Sequence, residues 1–257
     1  MMRASGCRVW DEDGREYVDY VMALGAVALG YGHPAVNRAA EAAIAAGVVG
    51  PLPPVSEEQL AEALAERIPW MERIRFLKTG AEAVAAAVRL AIGGVVERYN
   101  VRPVPDLVVV GKALGNGFPL AAVGGRAELM EAASRTWISS TLATEGVSLA
   151  AARATLEVFE REDVCAHLHR AGTTLLHGLH ELQRSYGGVI SAVAGIAEMC
   201  FLHYSTEEQA HAVALAAAKR GVLFKRTAYN FVSLAHDERT ISETLDVLDQ
   251  VLRNLGG

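Results

Sequence analysis

Lys112 closes the string PDLVVVGK, in which the apolar run Leu107–Val110 leads into Gly111-Lys112 and then the flexible LGNGFP. An amine must be neutral to attack an aldehyde, and a lysine at the end of a buried strand is desolvated enough to lower its pKa. Lys112 is therefore a candidate Schiff-base nucleophile, although Gly-Lys alone also describes an ordinary strand-end lysine in a loop. Thr79-Gly80-Ala81 stands where the apolar run Ile74–Leu77 gives way to AEAVAAAVRLA, which is almost pure helix former. A helix N-terminus offers unpaired N–H groups and a positive dipole end, which favour a phosphate dianion. The same Thr-Gly start also serves as a plain cap. Ser140 and Thr141 place two hydroxyls ahead of a further helical stretch, where a hydroxyl N-cap would stand. Gly111, Gly115, Gly117 and Gly124-Gly125 would let backbone approach a planar group closely.

These residues need a frame of alternating strands and helices. Around Asp11-Glu12-Asp13-Gly14 the residues 7–22 alternate apolar with polar, which predicts two short strands joined by a hairpin. VNRAAEAAIAAG predicts a helix that stops at Gly47. Ser56, followed by Glu57, Glu58 and Gln59, reads as an N-cap with acids in the first turn, and Leu60, Leu64 and Ile68 space the buried face of a helix over about 56–68. Helices are also expected over 142–160, 164–186, 206–220 and 238–254. ISAVAGIAEMCFLHY, GVLFKR and FVSLAH read as strands between them. Such alternation predicts α/β layering.

Composition narrows the function classes. The 257 residues are 51% hydrophobic and 21% charged, enough to bury one large core or two modest ones. A net charge of −6 without a basic face argues against nucleic acid as a partner. Cys7, Cys165 and Cys200 lie far apart, as reduced and mostly buried thiols would. His167-x-His169 and His177-x-x-His180 lack a neighbouring Cys or carboxylate cluster, so no metal site is expected. Lys225-Arg226 reads as a solvated strand end, with a substrate anion as the alternative, and Trp10, Trp70 and Trp137 as packing residues. With no apolar leader and no run of membrane-spanning length, a cytoplasmic protein without membrane contact is expected.

The string from Pro105 to Gly125 resembles the signature of the class III aminotransferases, which are fold-type-I enzymes dependent on pyridoxal 5'-phosphate. FLKTGAEAVAAAVRLA is similar to that family's phosphate-binding turn. ISSTLATEGVSLAAARATLEVFE is similar to its segment in which a threonine, here Thr141 with Ser140 beside it, reaches the phosphate of the neighbouring subunit's cofactor. The resemblance extends to WDEDGREYVDY, LGYGHPAV and FVSLAHDERTISETLDVL, so it covers nearly the whole chain. It implies an α/β fold with a three-layer large domain and a smaller α/β C-terminal domain, divided as 1–45 for the N-terminal segment, 46–157 for the cofactor-binding domain and 158–257 for the small domain. It also implies Lys112 as the Schiff-base lysine, backbone groups of Thr79, Gly80 and Ala81 on the phosphate, and a homodimer with sites at the subunit interface. Many family members carry a hydroxyl residue where Ala81 stands.

One large block of the family has no counterpart, because after Ala91 the chain passes straight to Ile92. By the resemblance, that block carries the aromatic residue that stacks on the pyridine ring and the aspartate that pairs with the ring nitrogen. Asp106 stands too near Lys112 to replace that aspartate. The gap is either a true internal deletion or a segment present in the molecule and missing from the sequence, and a Cα separation at Ala91-Ile92 far above the trans value of about 3.8 Å would mark the second. The expected activity is transfer of an amino group from an amine or amino acid to a keto or aldehyde acceptor. An aminomutase resembling glutamate-1-semialdehyde aminomutase, a racemase, and a non-catalytic degenerate paralogue are the alternatives.

Overall fold

A computed structural model of the protein describes residues 1–50, 52–90, 105–131, 140, 142–227 and 229–255; the Ala91-Ile92 junction, Trp137 and Thr141 lie outside them. In chain order, strands β1 (Arg3–Ser5), β2 (Arg8–Trp10) and β3 (Glu16–Asp19) precede a short turn, α1 (Met22–Gly25), and helices α2 (Pro34–Ala46) and α3 (Val55–Arg67). Next come β4 (Arg73–Leu77), α4 (Gly80–Leu90), β5 (Leu107–Val110), a 3-10 turn (Lys112–Gly115), β6 (Ala121–Gly125), α5 (Ala127–Met130) and α6 (Gly146–Arg161). The chain continues through α7 (Val164–Ser185), β7 (Ile190–Ile196), β8 (Met199–Tyr204), α8 (Glu207–Lys219), β9 (Val222–Leu223), β10 (Asn230–Phe231) and α9 (Glu238–Leu255). Two compact units result, one of Met1–His33 with Phe159–Gly257 and one of Pro34–Val158.

In the first unit the hairpin forms as its sequence dictates. Asp11 Oδ1 accepts from the N–H groups of Asp13 and Arg15, Asp11 Oδ2 accepts from the Tyr17 hydroxyl at 2.7 Å, and Gly14 supplies the positive φ of 78°. Sheet β1-β2-β3-β9 and sheet β10-β8-β7 share a core in which Leu175 and Leu179 of α7, Val213 of α8 and Ile241, Leu248 and Leu252 of α9 surround Tyr20. The Tyr20 hydroxyl donates to Thr244 Oγ1 at 3.1 Å, so its one polar atom does not go unpaired. Cys7 and Cys200 are buried free thiols and Cys165 is an exposed one.

Sequence periodicity does not reveal α1. Met22, Ala23 and Leu24 all take left-handed backbone, with φ of 47°, 50° and 58°. Such residues cost roughly 1 kcal/mol or more each. The Asp19 carboxylate holds the turn by accepting from Val21 N at 2.7 Å, Met22 N at 3.1 Å and the Tyr31 hydroxyl at 2.8 Å.

In the second unit β6 is the central strand of the order β4-β6-β5. β4 and β5 each pair with it antiparallel, Leu77 opposite Ala121 and Val110 opposite Ala122. Strands that both run against β6 run parallel to each other, so β4 and β5 end at the same edge of the sheet. Period-two alternation then builds three layers. Ala121 and Val123 join Leu77 and Leu107 against Ala83, Ala86 and Ala87 of α4 and Met130 of α5. Ala122 joins Phe76 against Leu60 and Leu64 of α3 and Leu149 and Ala152 of α6.

Three expectations need correction. Helix α3 starts at Val55 with Pro54 as its N-cap, so Ser56 lies inside the helix and caps nothing. Helix α6 starts at Gly146 rather than near Leu142, for a reason given below. Gly124 and Gly125 serve strand packing and not the approach of a ligand: a Cβ on Gly124 would fall 2.3 Å from Met71 Cε, and one on Gly125 would fall 2.1 Å from the Asp106 carbonyl oxygen.

Two predictions follow from this packing. Gly125→Ala forces β5 away from β6 and lowers stability by about 3 kcal/mol or more; a chemical-denaturation midpoint equal to that of the wild type would contradict the close approach. His236 is buried, stacks on Tyr20 with ring centroids 4.5 Å apart, and accepts at Nδ1 from Ser233 N at 3.0 Å. Burial holds its pKa down at about 4, below the ordinary 6.5; His167 and Arg8 add to the shift, while the Asp19 backbone and Asp237 oppose it. The unfolded chain therefore binds the extra proton first. This contribution is whole above about pH 6.5, is lost as pH falls to about 4, and amounts to roughly 3 kcal/mol. The stability difference between wild type and His236→Gln should change by that amount across the window, and a pH-independent difference would refute the assignment.

Candidate functional site

The parallel relation of β4 and β5 brings two of the expected groups together. Thr79-Gly80-Ala81 leaves the end of β4 and Lys112 leaves the end of β5, on either side of the start of β6. Their strands stand two strand spacings apart, about 10 Å.

At the β4 end, Thr79 and Glu82 satisfy each other across the first turn of α4. Glu82 N donates to Thr79 Oγ1 at 3.2 Å, and Glu82 Oε2 accepts from Thr79 N at 3.0 Å and Lys78 N at 2.9 Å. This is the reciprocal capping arrangement. It uses the hydroxyl and N–H of Thr79 and leaves the N–H groups of Gly80 and Ala81 at the helix head. A Cβ on Gly80 would meet nothing within 4 Å, so the space beside that head is open.

At the β5 end, Lys112 has φ of 49° and opens the 3-10 turn, followed by Asn116 at φ 45° and Gly117 at φ 101°. The sequence leads one to expect a desolvated lysine, but Lys112 is exposed. Among the described residues β5 pairs only with β6, so a residue beyond its end has a neighbouring strand on one side only. Leu107 and Val108 are buried while Val109 and Val110 are partly open. Asp106, at the opposite end of β5, binds Arg126 at 3.2 Å and lies a strand length from Lys112.

Ser140 is partly buried and its carbonyl accepts from Ala143 N at 3.2 Å. Among the described residues the helix that follows, α6, is capped by a carboxylate and not by a hydroxyl. Glu145 does this, its carboxylate accepting from Val147 N at 2.8 Å and Ser148 N at 3.0 Å, which is why α6 starts at Gly146. Glu145 also binds Lys78 Nζ at 2.5 Å, and Lys78 Nζ donates to Ser148 Oγ at 3.1 Å. Burial raises the Glu145 pKa, but the hydrogen bonds from Lys78, Ser148 and the two backbone N–H groups outweigh it and hold the carboxyl below its ordinary value. Sequence reasoning missed both Lys78 and Glu145. The expected helix start near Leu142 placed Glu145 inside the helix, so its role as the cap had no local signal.

Among the described residues, no group of three or more His, Cys, Asp or Glu could hold a metal ion, and no helix is long and apolar enough to cross a membrane. Arg226 pairs with Glu207 at 3.2 Å.

Comparison with known proteins places this arrangement. The glutamate-1-semialdehyde 2,1-aminomutase of Methanothermobacter thermautotrophicus is 25% identical over 387 alignment positions, covering 98% of this chain and 91% of the relative. The enzyme of that name from Symbiobacterium thermophilum is 25% identical over 397 positions, covering 100% and 90%. Both alignments are far longer than the 257 residues of the chain, so a large block of each relative has no counterpart here. Among solved structures, an omega-transaminase from Sphaerobacter thermophilus superposes with a TM-score of 0.88 at 18% identity, covering 100% of this chain and 91% of that one. The FumI protein of Sphingopyxis sp. MTA144, solved in its PLP internal aldimine form, superposes with a TM-score of 0.90 at 20% identity, covering 98% and 88%. The fold is that of the fold-type-I transferases. The family model for class-III aminotransferases matches residues 1–103 and again 97–252, so that together the two matches span nearly the whole chain, and the chain belongs to the class-III aminotransferase family.

Proposed function

We propose that the protein is an aminotransferase that uses pyridoxal 5'-phosphate to move an amino group between an amine or amino acid donor and a keto or aldehyde acceptor. The observation that carries this reading is the shared sheet edge: β4 and β5 both end beside the start of β6, with a capped helix head on one side and Lys112 on the other. The donor set suits two ends of the cofactor. Gly80 and Ala81 N–H groups at the head of α4, where a Cβ on Gly80 would meet nothing within 4 Å, suit a phosphate dianion, and the Lys112 amine suits an aldehyde. By the family resemblance the partner of the ring nitrogen belongs to the absent block; Asp106 binds Arg126, and Glu82 and Glu145 are engaged at the heads of α4 and α6.

When bound, the cofactor supplies an electron sink for charge formed at the substrate carbon. Lys112 Nζ would hold the cofactor at its aldehyde. When not so engaged, Nζ would serve as the general base that takes a proton from the donor's amine-bearing carbon. Glu82 and Thr79 hold the α4 head rigid by capping each other.

Ser140, and Thr141 beside it, would contact the phosphate of a neighbouring subunit, making a C2 homodimer the minimum functional unit. Exposed apolar side chains in the same unit support a buried interface: Val49, Leu52 and Leu142 are all exposed and line one cavity of about 260 Å³.

Aminomutase chemistry is the second reading, favoured by the names of the relatives that match along the whole chain. Incubation with an amino donor and an added keto acid separates the two: amino transfer to the added acid supports aminotransfer, and isomerisation without exchange supports the aminomutase. The reading common to both predicts that added cofactor gives a visible absorbance band that Lys112→Ala abolishes. A colourless wild-type protein that binds no cofactor would support a non-catalytic paralogue.

A further inference from the structure

Lys78 and Glu145 stand 67 positions apart in sequence and meet at 2.5 Å, with 19% and 9% of their side chains exposed. Each belongs to the head of a different helix. Lys78 immediately precedes Thr79, and its own N–H is held by Glu82, so its backbone is part of the capped start of α4. Glu145 caps α6 while it binds Lys78, and Ser148, in the first turn of α6, accepts a second hydrogen bond from the same ammonium.

The charges are arranged against local preference at one end and with it at the other. An ammonium beside a helix N-terminus is disfavoured by the dipole, whereas a carboxylate there is favoured. Glu145 and Ser148 direct Lys78 Nζ to the head of α6, where the carboxylate compensates it. A charge-assisted pair with little exposure resists both solvent screening and rotamer exchange more than a surface pair does.

We propose that Lys78 and Glu145 are positioning residues that lock the turn Thr79-Gly80-Ala81 in register with the segment leading into α6, so that the α4 head meets the phosphate of the cofactor in a fixed geometry. The proposal rests on the assignment of that head to the phosphate under the proposed function. Lys78 acts through the backbone of the turn, and its ammonium is committed to Glu145 instead of to the phosphate.

Titration of the full chain with pyridoxal 5'-phosphate and with pyridoxal, which lacks the phosphate, tests this by absorbance. Lys78→Met should weaken pyridoxal 5'-phosphate binding about tenfold or more and leave pyridoxal within about twofold of wild type, and Lys78→Arg should recover most of the loss. Glu145→Gln keeps an oxygen that can cap α6 but removes the charge, and should show the same phosphate-selective weakening. Tighter binding of pyridoxal 5'-phosphate by Glu145→Gln would overturn the proposal, because Glu145 would then be withholding Lys78 from a direct phosphate contact. Equal losses for both ligands would also overturn it, as would no loss for either. Should Lys78→Met not fold, Lys78→Arg and Glu145→Gln decide by the same comparison. A wild-type protein that binds neither ligand overturns the phosphate assignment itself and this proposal with it, whereas Lys112-dependent binding without phosphate-selective losses overturns this proposal alone.

Discussion

Everything proposed for the second unit depends on the close packing of β6 between two strands. Its sequence, Ala-Ala-Val-Gly-Gly, is buried throughout. The two glycines at its end exist for the neighbours' sake, since a single methyl on Gly125 would lie 2.1 Å from the Asp106 carbonyl oxygen. With β6 fixed, β4 and β5 have no freedom but to run parallel and finish together. A helix head and a lysine that are 32 positions apart in the numbering of Gly80 and Lys112 thereby become neighbours across one strand.

The first unit solves a different problem, that of burying polar side chains beside hydrogen-bond partners, with His236 Nε2 a buried atom left without one among the described residues. Asp19 is 3% exposed and has its carboxylate filled by two backbone N–H groups and the Tyr31 hydroxyl, which stabilises three successive left-handed residues. Tyr20 and His236 stack in the core beside it, and each directs a polar atom at a neighbour, Thr244 for one and Ser233 for the other. Burial of this kind costs free energy unless the partners are present, so the arrangement is cooperative.

What the sequence revealed and what it concealed divide along the range of the interactions. The Asp11–Gly14 hairpin, the strand Leu107–Val110 and the helix ending at Gly47 are set by residues within a few positions of each other, and each formed where expected. The role of Gly124-Gly125 depends on strand register, which pairs Gly125 with Arg73 on one side and Leu107 on the other. The Lys78–Glu145 pair spans 67 positions, and neither residue carries a local mark of it. The desolvation expected of Lys112 failed for a related reason: it required cover on both sides of β5, and the described sheet provides it on one. Thr141 and the Ala91-Ile92 junction lie outside the described residues.

The absent block gives the account its sharpest consequence. In the proposed reading Thr79-Gly80-Ala81 is the phosphate turn and Lys112 the Schiff-base lysine, and the central claim is that these two ends of the site suffice to seat the cofactor. Lys78, Lys112, Lys219 and Lys225 are the lysines of the chain, which makes attachment easy to map. Borohydride reduction in the presence of stoichiometric pyridoxal 5'-phosphate, followed by peptide mass mapping, tests the claim directly. The account predicts a single pyridoxyl label on Lys112; label spread over the other lysines, or none at all, would contradict it.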